Sequence, residues 1–168
     1  DFYSDRSLEG IVSVEVIDLR FHIPQQKLNT LFSPSFFITG NVENPYEIDK
    51  LDFASKHRSV ISYKEVGDGQ GYHGTQEIEG VPLSLLLDKA GISYDLNTAI
   101  VVSAPDGYRS LLSYGELFMS NEGKRILISD KFNRETRQNG GVFFMTMTDD
   151  LSADRNVKAI DTIEVINL

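Results

Sequence analysis

The 168-residue chain contains no cysteine. That excludes disulfides, thiolate zinc sites, iron–sulfur clusters and cysteine nucleophiles together, though it leaves compartment open, since exported and cytosolic proteins both occur without Cys. No run approaches the roughly 18 apolar residues of a membrane-spanning helix, so a soluble chain is expected. Positive charge is also scarce: 16 Lys and Arg stand against 25 Asp and Glu, for a formal net charge of -9. Nucleic-acid binders carry clustered Lys and Arg, so a nucleic-acid partner is not expected. Internal repeats, low-complexity tracts and Pro/Ser linkers are missing too, and the length suits one domain over residues 1–168.

What is present is an ordinary folding composition, 40% hydrophobic and 10% aromatic. A chain of this size buries roughly two thirds of its unfolded surface without a metal or disulfide staple. The β-branched segments Ile11–Ile17, Ser59–Val66, Thr98–Ala104 and Val157–Ile166 read as strands, with shorter ones at Phe36–Ile38, Thr75–Glu79, Arg109–Leu112, Arg125–Ser129 and Val142–Thr148. Leu83–Ala90 is the clearest helix: Pro82 precedes it and Gly91 follows, and its four leucines predict burial on nearly all sides. Ser113 and Glu116 have the spacing of a capping box for a helix through Met119, and Asp49–Lys56 has room for two helical turns. Strands dominate without βαβ alternation, which predicts an α+β fold.

The local motifs point to little chemistry. Gly69-Gln70-Gly71-Tyr72-His73-Gly74 matches G-x-G-x-x-G, but the alternating Thr75–Glu79 follows where a phosphate-binding helix is needed, so the glycines read as a hairpin loop. His22 and His73 each have a single carboxylate four residues away, Asp18 and Glu77, and His57 has none at i±3 or i±4; no usual zinc or calcium spacing results, and no metal site is expected. No G-x-S-x-G elbow occurs. Asp149-Asp150 reads as a solvated loop or cap, and so does the basic group Lys124, Arg125, Lys131, Arg134 and Arg137.

A longer pattern is more specific. Gly80-Val81-Pro82-Leu83, the leucines to Leu87, Ala90-Gly91-Ile92 and then Asp106-Gly107-Tyr108 occur in order. Gly40-Asn41-Val42-Glu43-Asn44-Pro45 precedes them; Gly140-Gly141, Val157-Lys158 and Ile163-Glu164-Val165 follow. Over residues 36–168 the chain resembles the molybdopterin-binding domain of the sulfite oxidase family, with residues 1–35 as an extension outside the resemblance. The resemblance implies a sulfite-oxidase-like fold, mostly mixed β-sheet with a few short helices, and a cleft where the D-G-Y turn, the loop near His73 and the V-K segment converge. It makes His73, Asp106, Tyr108, Arg109 and Lys158 the candidate ligand-binding residues. It also points weakly to a periplasmic or otherwise exported protein.

The departures bear on chemistry. The resembled enzymes hold molybdenum through a Cys thiolate on the strand matching Ser59–Val66, which here carries Ser62 and Tyr63. A neutral hydroxyl does not replace a soft thiolate donor. Phe144 stands where the family pairs an anion with Arg, and Ala159 where it has Trp. The leading expectation is therefore a domain that has lost molybdenum chemistry and binds a small ligand or protein partner, with no cofactor and no catalytic or metal residues. One rival is an oxidoreductase that binds molybdopterin without Cys, using Lys158, Arg155, Arg109 and Tyr108. The other is a structural subunit of a redox complex, expected to expose an apolar patch including Phe2, Tyr3, Phe21, Phe32 and Phe36.

Overall fold

The computed structural model describes residues 10–16, 31–49, 57–67, 71–132, 135–136 and 142–168. The chain crosses repeatedly between two sheets. One is built from β1 (Phe36–Gly40), β2 (Tyr46–Ile48), β5 (Thr98–Ser103), β6 (Arg109–Ser113) and β11 (Thr162–Asn167), in the order β2-β1-β11-β5-β6. β1 and β11 run parallel, and the other neighbours run antiparallel. The second sheet holds β3 (Ser59–Val66), β4 (Tyr72–Pro82), β7 (Ile126–Phe132), β9 (Phe144–Met147) and β10 (Val157–Lys158) in the order β10-β9-β7-β4-β3, with β8 (Glu135–Thr136) paired to β7. Among the described residues the helices are α1 (Leu83–Ala90), α2 (Tyr114–Phe118) and two short 3-10 turns.

The main core takes side chains from both sheets: Phe36, Ile38, Ile100, Val102 and Ile163 from the first, and Val81, Ile126, Ile128 and Met145 from the second. α1 inserts Leu83, Leu86 and Leu87 into this core, each fully buried, while Leu85 stays 39% exposed. The helix is thus enclosed on three sides, not all. Its ends follow the sequence signals. Pro82 supplies the extended residue before the first turn, and Gly91 ends the helix in the left-handed conformation at φ 74°. The Asn44-Pro45 turn docks on that end, with Asn44 N–H donating to the Ala90 carbonyl at 2.9 Å.

Several expectations are corrected. Val157–Ile166 is not one strand. Ala159 takes φ 57°, a left-handed turn without glycine, and divides the segment into β10 in one sheet and β11 in the other. Residues 11–16 form no strand among the described residues, and the short β2 was not anticipated. Phe36 is fully buried, edge-on to Phe143 with ring centroids 5.1 Å apart, so it belongs to no exposed patch; Phe32 is 57% exposed. Phe2, Tyr3 and Phe21 lie outside the described residues, as do Gly140-Gly141 and the expected helix beyond Asp49. The glycine-rich loop does join β3 to β4 as a hairpin, and Gly71 and Gly74 both have positive φ. No described helix is long and apolar enough to cross a membrane.

Candidate functional site

A cleft of about 1230 Å³ opens between the outer strands of the second sheet and the β6–α2 corner of the first. Five segments build it. β3 contributes Ser62, Tyr63, Lys64 and Val66, and β4 contributes Tyr72 and Thr75. Ser113 and Glu116 come from the start of α2, Ser120 to Ile126 from the loop after it, and Met147 to Leu151 with Arg155 from the segment following β9.

Arg155 organises the far wall. Its Nη2 donates to Glu116 Oε1, and its Nε lies 3.2 Å from Asp150 Oδ2. That Nε is buried and makes no hydrogen bond, because its N–H is not aimed at the carboxylate. The Asp150 side chain is only 9% exposed, so the cation offsets a carboxylate that water solvates poorly. Beside this group, Arg125 Nε donates to Asp149 Oδ2 at 2.6 Å. Asp149 and Arg125 thus line the cleft while staying well exposed, their side chains 35% and 41% accessible, as their solvated reading expects. The expected capping box is half made: Ser113 Oγ accepts from Glu116 N–H at 3.0 Å, but the Glu116 carboxylate turns to Arg155. Among the described residues no acid pairs with Lys64 on the opposite wall.

The five residues expected at the cleft mouth are placed as follows, and none lines the cleft. Asp106 Oδ1 accepts from the Tyr108 N–H at 2.9 Å, an interaction that keeps its carboxylate on its own turn. Gly107 has φ 89°, the conformation expected from Pro105-Asp106-Gly107. The Tyr108 hydroxyl donates to the Asp154 carbonyl, directly before Arg155. Burial, with the nearby charges of Asp154 and Asp106, pushes that hydroxyl's pKa up. His73 Nε2 lies 2.9 Å from the Gly67 carbonyl, and Gly67 packs so closely on Ala153 that a Cβ there would stand 2.9 Å from the Ala153 Cβ. His73, Asp106 and Tyr108 thus gather around the 3-10 turn Ala153–Arg155, on the outside of the segment whose Arg155 enters the cleft. Arg109 and Lys158 are exposed at the start of β6 and in β10. The residues missed were Lys64, Glu116, Arg125, Asp149 and Asp150. The one available signal was the recurrence of opposite charges at 149–155, read as solvation.

The fold can now be compared with known proteins. No protein-family model matches the chain, and no curated protein sequence does. Among solved structures, the crystal structure of the sulfane dehydrogenase SoxCD from Paracoccus pantotrophus superposes with a TM-score of 0.62 at 17% sequence identity. The match covers 88% of this chain and 40% of that one, so the chain spans less than half of its neighbour's length. At that identity the likeness is one of fold. The expected α+β architecture of mixed sheets and few short helices is the observed one, and its fold is like that of the SoxCD structure.

Proposed function

We propose that this chain is a binding domain on a sulfite-oxidase-like fold, that it works without molybdenum, and that its ligand occupies the cleft between β3 and Arg155. The observation that carries this reading is the donor set of the cleft. β3, the strand matching the family's thiolate-bearing strand, offers Ser62 and Tyr63, and the chain has no sulfur nucleophile. The lining holds three cations (Lys64, Arg125 and Arg155) against four carboxylates, Glu116, Glu122, Asp149 and Asp150. Two of the three cations are already held by those carboxylates.

An anionic pterin needs several uncompensated donors at once, and these residues do not fit it. A small polar molecule without net negative charge suits the lining better. It would meet both donors and acceptors, with the Lys64 ammonium and the Ser62 and Ser120 hydroxyls among the donors. Fold alone does not determine chemistry, so the proposal rests on these side chains and not on the SoxCD likeness.

The test is metal analysis of the full chain produced in a host that makes molybdopterin, together with its visible absorption spectrum. The expected result is no stoichiometric molybdenum or tungsten and no ligand-to-metal bands. Stoichiometric metal would overturn the reading and favour an oxidoreductase with an unusual ligand set.

A further inference from the structure

Residues 11–16 (IVSVEV) belong to no helix or strand and are exposed throughout. Ile11, Val12, Val14 and Val16 are 62–96% exposed, and among the described residues the segment makes no backbone hydrogen bond. Period-two alternation gives it an apolar face of Val12, Val14 and Val16, with Ser13 and Glu15 on the other face. β-branched side chains in that pattern suit a sheet and gain nothing from water. Among the described residues the same molecule also has an unpaired strand edge. β3, eight residues long, is the outermost strand of its sheet and pairs with β4 alone among the described residues. An open edge of this length is a template for strand addition.

We infer that residues 11–16 add as a parallel strand to the β3 edge of a second copy of this chain, reciprocally, forming a two-fold exchanged dimer. The side chains choose the register. With Glu15 beside Lys64, a parallel strand sets Val14 beside Tyr63, Ser13 beside Ser62, Val12 beside Ile61 and Ile11 beside Val60. Apolar meets apolar, hydroxyl meets hydroxyl and acid meets base along five consecutive positions. The antiparallel register that keeps Glu15 on Lys64 instead sets Val14 against Glu65 and Ser13 against Val66.

Neither Glu15 nor Lys64 has a partner among the described residues, so the pairing displaces no contact among them. Lysine on an edge strand normally guards against such addition, and here it selects the one segment that carries a matching acid. Exchange with a second copy, rather than folding back, follows from the position of the segment: its own domain leaves it in solvent. Closed exchange between two copies leaves neither segment unpaired.

Sedimentation equilibrium of the full chain over a dilution series tests this, because the monomer surface is complete without the exchange. A reversible dimer is expected. Val14→Asp, at an exposed position that leaves the monomer fold intact, should be monomeric throughout. Glu15→Lys and Lys64→Glu should each weaken the dimer about five-fold, and the two together should restore it. The cysteine-free background gives an independent readout. Ser13→Cys chains mixed with Ser62→Cys chains should form an intermolecular disulfide under mild oxidation. Three outcomes would overturn the inference: a wild-type chain that stays monomeric up to its solubility limit, a dimer unaffected by Val14→Asp, or a doubly substituted chain that closes its disulfide within one molecule.

Discussion

The helix α1 and the cleft wall around Arg155 are stabilised by opposite means. α1 rests on leucines whose burial is complete and directionless, so its neighbours need only be apolar and well fitted. The cleft wall rests on charges that are individually costly to bury and tolerable only in their present arrangement. The first region is tolerant of what surrounds it and intolerant of lost volume; the second is the reverse. A molecule built this way keeps its frame when the cleft changes.

Four substitutions probe this contrast, in order of decreasing effect. Leu86→Ala removes a fully buried side chain and should cost about 2–5 kcal/mol in chemical denaturation, from lost transfer energy plus a cavity. A loss under about 1 kcal/mol would place α1 at the surface and erase the distinction. Arg155→Ala leaves the poorly solvated Asp150 carboxylate and Glu116 without their cation. It should cost about 1–3 kcal/mol, and a neutral result would mean the wall is held by something other than charge. Gly107→Val tests the turn beside it. A Cβ at Gly107 would meet no atom within 4 Å, so the expected ~1–2 kcal/mol is backbone strain from the positive φ alone.

The smallest effect concerns Tyr46, whose hydroxyl donates to the Leu86 carbonyl at 2.9 Å. Burial pushes this phenol from 10.0 up to about 12 in the folded chain. The folded state therefore holds the proton more tightly, and the contribution to stability is flat below pH 10 and falls as pH rises from there towards 12. Tyr46→Phe should be slightly less stable at neutral pH, for want of the hydrogen bond, yet lose less stability on going alkaline. Parallel pH profiles for the two proteins would show that the phenol is not the cause.

Local punctuation was legible in the sequence, and so was everything that depends on it. Pro82 and Gly91 bracket α1 because a missing N–H and a left-handed residue are tolerated only at helix ends. Ser59–Val66 was legible as a strand from its β-branched pattern, and Gly107's positive φ from its turn. The break at Ala159 was not, because alanine has no preference for φ 57° and tertiary contacts impose it. Nor was the cleft. Its charges come from β3, α2, the following loop and residues 147–155; Ser113 was read correctly as the cap of α2, but the Glu116 carboxylate expected to complete the box is held by a distant arginine. The turn at Asp106–Tyr108 was found, but its side chains bind their own neighbourhood, a choice that depends on the 3-10 turn brought beside it by the fold.

One feature of the first sheet bears on how the chain is made. β11 follows every other strand in sequence yet lies at the centre of the sheet, between β1 and β5. On a ribosome, β1 and β2 emerge well before their central neighbour exists, and β5 with β6 forms a hairpin with one side open. Two half-sheets therefore wait, edges bare, until residues 162–167 arrive to join them. A nascent chain released before that point presents two bare margins to any chaperone or protease nearby, and the arrival of residues 162–167 is itself the step that closes the sheet.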